Sequence, residues 1–175
     1  MKCLVLLFAC SFNYCALSAQ PANTGCKVEL YMLKTNHIPK ADMDEPIGYF
    51  MPSKSDLADN PLVADNEMLG YDIQKDSTRP YAFNITKTAA VRVDSIAKKV
   101  PLYGLAFAVV VNGEPVFGGY FWSPSSSYVC SWLTAFAVAD RISIYPCYSG
   151  FGYIDPRLNP ALIDCLKKTN RVKVY

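Results

Sequence analysis

Apolar and polar residues alternate over 28–33, where Val28, Leu30 and Met32 share one face, and this pattern predicts a strand. His37-Ile38-Pro39 breaks it, a charged stretch follows over 40–45, and a second short strand is predicted over 47–51 after Pro46. Residues 52–61 carry two prolines with Ser, Asp and Asn and read as a loop. Met68, Leu69, Tyr71 and Ile73 place a strand within 66–75, a turn follows over 76–79, and a further strand runs over 80–85. The clearest signal is helical: Ala89, Ala90, Val93, Ile96, Ala97 and Val100 recur at three and four residues. Thr86 is the N-cap, Lys98-Lys99 suits the negative end of the helix dipole, and Pro101 stops the helix. An apolar run over 105–111, then Asn112-Gly113, then 114–122 predicts a hairpin, since both turn residues tolerate positive φ. Pro115 cannot donate to a ladder, which puts that end of the strand at an edge.

The serine-rich 123–127 segment is a loop. Over 128–139, Val, Trp, Phe and Thr favour a strand while the alanines leave a helix open. Residues 142–145 form a short strand, and 146–156 a loop containing Cys147, Gly150 and Gly152. Asn159-Pro160 is an N-cap with proline at the first helical position, opening a helix over 161–168 with Leu162, Ile163 and Leu166 inward. Val172 and Val174 end the chain as a strand. No repeat or linker interrupts this succession. The pattern predicts a single α+β domain over 27–175, with a mostly antiparallel sheet and two helices packed on one side.

The first residues read as an address. Met1 and Lys2 are followed by an uncharged apolar run to Leu17, then the small residues Ser18 and Ala19, then polar Gln20-Pro21. That order is a secretory signal peptide over 1–19, followed by a loose leader over 20–26. The run is shorter than the roughly 20 residues that span a bilayer, so no permanent membrane span is expected. Leu7-Phe8-Ala9-Cys10 resembles a lipobox, but the spacing is poor, so a lipid anchor at Cys10 is the weaker reading. The expected location is secreted or periplasmic. Of seven cysteines, Cys26, Cys130, Cys147 and Cys165 remain after cleavage. In an oxidising compartment they are disulfide candidates with three connectivities. A Cys147–Cys165 bridge would tie a loop to the last helix, and a Cys26–Cys130 bridge would tie the N-terminus to the core.

The 175 residues are 51% hydrophobic and 18% charged, with a net charge of +2. Disorder is excluded for the bulk of the chain, and a general nucleic-acid binder would need a concentrated basic face. There is one histidine, His37, so a Ser–His or Cys–His centre would have to use it. Val129-Cys130-Ser131-Trp132 lacks the residues that precede a cysteine-protease nucleophile, and Ser123 to Ser127 hold no nucleophile elbow. Asp42, Asp44 and Glu45 lack the glycine and distal Glu of a calcium loop. No P-loop or dinucleotide glycine motif occurs, and no cofactor or metal is expected.

The strand, helix and Asn-Gly hairpin over 81–122 resemble a unit of the periplasmic domain of the protein-export factor SecD, through a common split βαβ arrangement. The chain lacks that factor's membrane spans, so its translocase role does not carry over. Val116-Phe117-Gly118-Gly119-Tyr120-Phe121-Trp122-Ser123-Pro124 and Asp155-Pro156-Arg157 resemble small secreted proteins of gut-type Gram-negative bacteria, a resemblance that implies no particular activity.

Aromatic rings cluster around the serine-rich and glycine-rich loops. A surface of Tyr120, Trp122, Ser125, Ser126, Tyr128 and Tyr148 would bury apolar area while its polar tips hydrogen-bond a sugar or a peptide. The leading expectation is a non-catalytic binding protein with a glycan or protein ligand. The rivals are a small exported hydrolase using His37 with Cys130 or a serine, and a disulfide-tied inhibitor presenting the 147–153 loop.

Overall fold

The computed structural model describes residues 25–36, 50–146 and 154–175. The leader read into 1–19, residues 47–49 of the strand predicted over 47–51, His37, Cys147 and Tyr148 lie outside those residues, and Phe50 forms only an isolated bridge to Gly118. Among the described residues, eight strands form one sheet: β1 (Val28–Met32), β2 (Met68–Ile73), β3 (Tyr81–Ile85), β4 (Leu105–Val111), β5 (Glu114–Phe121), β6 (Thr134–Val138), β7 (Arg141–Tyr145) and β8 (Val172–Val174). Their order is β1-β4-β5-β6-β7-β3-β2-β8. Two helices join them, α1 (Lys87–Ala97) and α2 (Pro160–Lys168). None of the helices among these residues is long and apolar enough to cross a membrane.

The α+β class agrees with the sequence pattern. The sheet, however, is mixed rather than mostly antiparallel, because β5–β6 and β2–β8 pair in parallel. Parallel neighbours need a long connection, and the partner it delivers is not encoded in local alternation. The split βαβ arrangement expected over 81–122 is also not formed. β5, β6 and β7 stand between β3 and β4, and the ladder makes β3 and β4 antiparallel, so α1 is not the crossover of a split βαβ unit.

Local chemistry accounts for the element ends. The Thr86 hydroxyl accepts the Ala89 N–H, capping α1, whose Ala89 and Val93 are buried. Asn112 and Gly113 adopt φ 52° and 82°, closing the β4–β5 hairpin. Pro115 sits where the β4–β5 register shifts, a bulge that needs no proline N–H. β6 pairs only with Tyr120 and Phe121 of β5, so the Pro115 end does lie at an edge. Asn159 caps α2 through the Ala161 N–H.

The sheet curls so that its ends approach. Leu30 of β1 bridges to Val63 ahead of β2. The Asp65 carboxylate accepts the Val28 N–H at 2.8 Å and Arg171 Nη2, just before β8, at 2.8 Å. Inside this curl one core takes Phe83, Phe107, Phe117 and Phe121 from the strands, with Val93 from α1 and Leu162 and Leu166 from α2. At about 1.5–3 kcal/mol per enclosed side chain, this is the dominant stabilising term.

Cys26 and Cys165 form a disulfide across a sequence separation of 139, with Cα atoms 5.5 Å apart. Neither Cys147–Cys165 nor Cys26–Cys130 therefore forms. The reason is packing: α2 lies against β1, and Cys165 faces inward beside Leu162 and Leu166.

The Asp155-Pro156-Arg157 motif is an internal tie. Arg157 is fully buried. Its Nε donates to both Asp155 carboxylate oxygens, at 2.9 and 3.2 Å. Nη1 donates to the carbonyls of Arg79 at 2.9 Å and Ile144 at 3.2 Å. Nη2 donates to Asp155 at 2.7 Å and to the Ser77 carbonyl. The guanidinium lies 4.0 Å from the Tyr81 ring centroid, and the Tyr71 hydroxyl donates to the Arg157 carbonyl at 3.0 Å. One side chain thus joins the β2–β3 turn, β7 and the 155–157 segment.

The paired glycines of Phe117-Gly118-Gly119-Tyr120 are places of close approach. A Cβ on Gly118 would lie 2.6 Å from the Phe50 ring, and one on Gly119 would lie 2.7 Å from the Leu133 carbonyl oxygen. Gly119→Ala is expected to cost about 1–3 kcal/mol, because backbone rather than a movable side chain must give way. Urea denaturation checks this; an unchanged midpoint would contradict the contact.

Candidate functional site

The sequence pattern put Tyr120 and Trp122 on one open face. β5 is instead covered on both faces. Phe121 packs on Phe107 in the core, with centroids 5.2 Å apart, while Tyr120 lies under Phe50 at 5.4 Å and is 2% exposed. Phe50 also meets Trp132 edge-on at 6.3 Å. Burial, with a smaller effect of Cys130, holds the Tyr120 phenol well above its ordinary pKa, so it is neutral. Tyr120 is a core residue, and the surface expected there passes to its neighbours.

Those neighbours come together from two turns. After Pro101, the chain turns through Leu102 and Tyr103 to Gly104, whose N–H donates to the Pro101 carbonyl at 2.9 Å. Gly104 has φ 77° and no room for a side chain: a Cβ would lie 2.8 Å from Trp122 Cε3. Trp122 is half-buried and leans on this glycine. Asn36 fixes the turn, donating Nδ2 to the Gly104 carbonyl and accepting the Ala106 N–H, both at 2.8 Å.

The serine loop closes over the same turn. The Ser126 N–H donates to the Ser123 carbonyl at 3.0 Å. The Ser126 hydroxyl donates to the Leu102 carbonyl at 2.8 Å and accepts the Tyr128 N–H at 3.2 Å. Ser126 is therefore committed to positioning the loop and has little left for a ligand. Ser123 and Ser125 share a 2.8 Å hydroxyl contact, and Ser125 is exposed. Tyr128 stacks at a tilt of 38° on Tyr103, centroids 4.8 Å apart, and the Tyr103 hydroxyl donates to that of Tyr128 at 3.2 Å. That hydrogen bond, with the electrostatic effect of the adjacent Tyr128 phenol, raises the Tyr103 pKa.

The two turns thus present an aromatic patch: Tyr103 (52% exposed) and Tyr128 (48%) stack on each other, half-buried Trp122 lies against Gly104 of the same turn, and the exposed Leu102 and Val129 adjoin the two tyrosines in sequence. Of the predicted residues, Tyr128 stacks in it and Trp122 lies on its Gly104 turn, Ser126 supports it, Ser125 is exposed in the same loop, Tyr120 is buried away from it, and Tyr148 lies outside the described residues. Tyr103 and Leu102 were missed. Their signal was an apolar pair in a turn bounded by Pro101 and Gly104, where no core face is available.

Other parts of the surface offer less. Cys130 is half-buried, and the His37 and 147–153 segments on which the rival readings rest lie outside the described residues. No group of three or more His, Cys, Asp or Glu that could hold a metal ion occurs among the described residues. A cavity of about 380 Å³ between α1 and the β6–β7 turn has a mixed lining of Lys87, Val91, Asp94, Ala137 and Asp140. Comparison with protein-family models, with curated proteins and with solved structures finds no match.

Proposed function

We propose that this chain is a secreted or periplasmic binding protein that acts by contact, without catalysis, on a glycan or protein ligand. The observation that carries the reading is the exposed Tyr103–Tyr128–Trp122 patch, held in shape by Asn36, Gly104 and Ser126. Half-exposed rings cost free energy in water, and rigid aromatic anchors recover it when a ligand covers them. Preorganisation by the Asn36 and Ser126 hydrogen bonds lowers the ordering cost of binding. The signal-like start and the Cys26–Cys165 bridge support an oxidising location.

Trp122 is a poor single test residue, because removing its ring also empties the space over Gly104. Tyr103 and Tyr128 are better. The Tyr103→Ala/Tyr128→Ala variant is expected to lower stability by about 1 kcal/mol, the size of an exposed aromatic pair. It should lose the ligands that the native chain retains from an immobilised glycan panel and a displayed peptide library. Retention of those ligands by the folded double variant would remove the patch from the function.

A further inference from the structure

The proposed binding role leaves open what the patch binds, and three observations narrow it. The first is charge. No charged residue occurs between Glu114 and Asp140, so the Trp122 and Tyr128 loop is neutral throughout. Leu102, Tyr103 and Gly104 add no charge from the other turn. Phosphates, nucleic acids and acidic chains are recognised by concentrated basic groups, and neither the 102–104 turn nor the 122–129 loop contains one, the nearest in sequence being Lys98 and Lys99.

The second is area. A fully enclosed aromatic side chain buries about 150–250 Å², so half-exposed Tyr103 and Tyr128 leave on the order of 100 Å² each. Trp122, Leu102 and Val129 bring the patch to roughly 400–500 Å², within the range of functional patches on single chains. A stable protein interface takes about 800 Å² from each partner. The patch is about half of that, so a protein partner would need the polar surroundings to supply the rest, whereas a short run of sugar rings needs no more than the patch.

The third is the kind of polar group present. The phenols of Tyr103 and Tyr128 meet at 3.2 Å, and the hydroxyls of Ser123 and Ser125 lie 2.8 Å apart in the loop that joins Trp122 to Tyr128. Hydroxyls both donate and accept, which suits ligand hydroxyls that do the same. The C–H faces of a pyranose ring supply the apolar surface that the aromatic rings can cover.

From these observations, and resting on the binding role proposed above, we infer that the Tyr103–Tyr128–Trp122 patch takes an uncharged polysaccharide chain. Stacking of sugar faces on the rings gives most of the affinity, and the phenol and serine hydroxyls orient the chain.

Affinity electrophoresis of the native chain in gels containing laminarin, xyloglucan or glucomannan, with polygalacturonate as the acidic comparison, tests this directly. At least one neutral polysaccharide should retard the protein equally at low and high salt, and Tyr103→Ala/Tyr128→Ala should weaken the retardation at least about tenfold. The Tyr128→Phe variant, which keeps the ring, should lose far less. Failure of every neutral polysaccharide to retard the chain, or retardation by polygalacturonate alone that salt abolishes, would overturn the inference. If the double variant then loses a displayed peptide instead, the patch remains the binding surface and only its ligand class falls. If the double variant leaves all binding unchanged, both readings fall.

Discussion

Replacing Arg157 by alanine is expected to destabilise the chain by about 3–5 kcal/mol, the usual cost of removing one partner from a buried ion pair. The side chain is fully buried, and each guanidinium nitrogen has an acceptor. Its removal leaves the Asp155 carboxylate, 11% exposed, without its cation, and leaves the Ser77, Arg79 and Ile144 carbonyls short of a donor. It also empties the space over the Tyr81 ring. At roughly 2–4 °C per kcal/mol for a chain of this size, the melting temperature should fall by about 6–20 °C. Arg157→Lys should recover little, because a point charge cannot serve acceptors on three sides as a planar fork does. Thermal melts followed by circular dichroism decide this. A loss below about 1 kcal/mol for Arg157→Ala would mean that the buried network contributes nothing beyond an apolar filling.

Loss of the Cys26–Cys165 bridge is expected to cost about 3–5 kcal/mol, because the loop it closes is long and the unbridged denatured chain is correspondingly less constrained. The bridge also fastens α2, whose Leu162 and Leu166 complete the core, to the start of β1. Denaturation of the native chain with and without a thiol reductant should give separated midpoints, whereas Cys26→Ala/Cys165→Ala should melt alike in both. Equal midpoints for the native chain would show that the bridge does not stabilise the fold.

What the sequence made legible was local. The Asn112-Gly113 turn, the Thr86 cap and the Asn159-Pro160 start each depend on a few adjacent residues, and each stands where the pattern put it. The apolar 128–139 stretch was ambiguous because only Thr134–Val138 is strand, and Ala139, at φ 52°, opens the turn to β7. Strand order was out of reach. Whether β6 lies beside β5 in parallel depends on a connection whose path no periodicity records. Distance in sequence also hid the partners that decide the candidate site. Tyr120 is buried by Phe50, so alternation that assumed one open face placed the ring wrongly. Tyr103 meets Tyr128 across 25 residues, and Arg157 finds its acceptors about 80 residues away in the Ser77 and Arg79 turn. The composition, by contrast, already contained the neutrality of the patch, since the uncharged run between Glu114 and Asp140 can be read directly.

The most direct test of the account is a nuclear magnetic resonance titration of the isotope-labelled chain with a soluble neutral oligosaccharide cut from laminarin or glucomannan. Amide shifts should concentrate on Leu102, Tyr103 and Gly104 and on the loop from Trp122 to Val129, and they should saturate. Saturating shifts confined to the Lys87–Asp94 face of α1 and the Ala137–Asp140 turn, or no shifts at all, would contradict it.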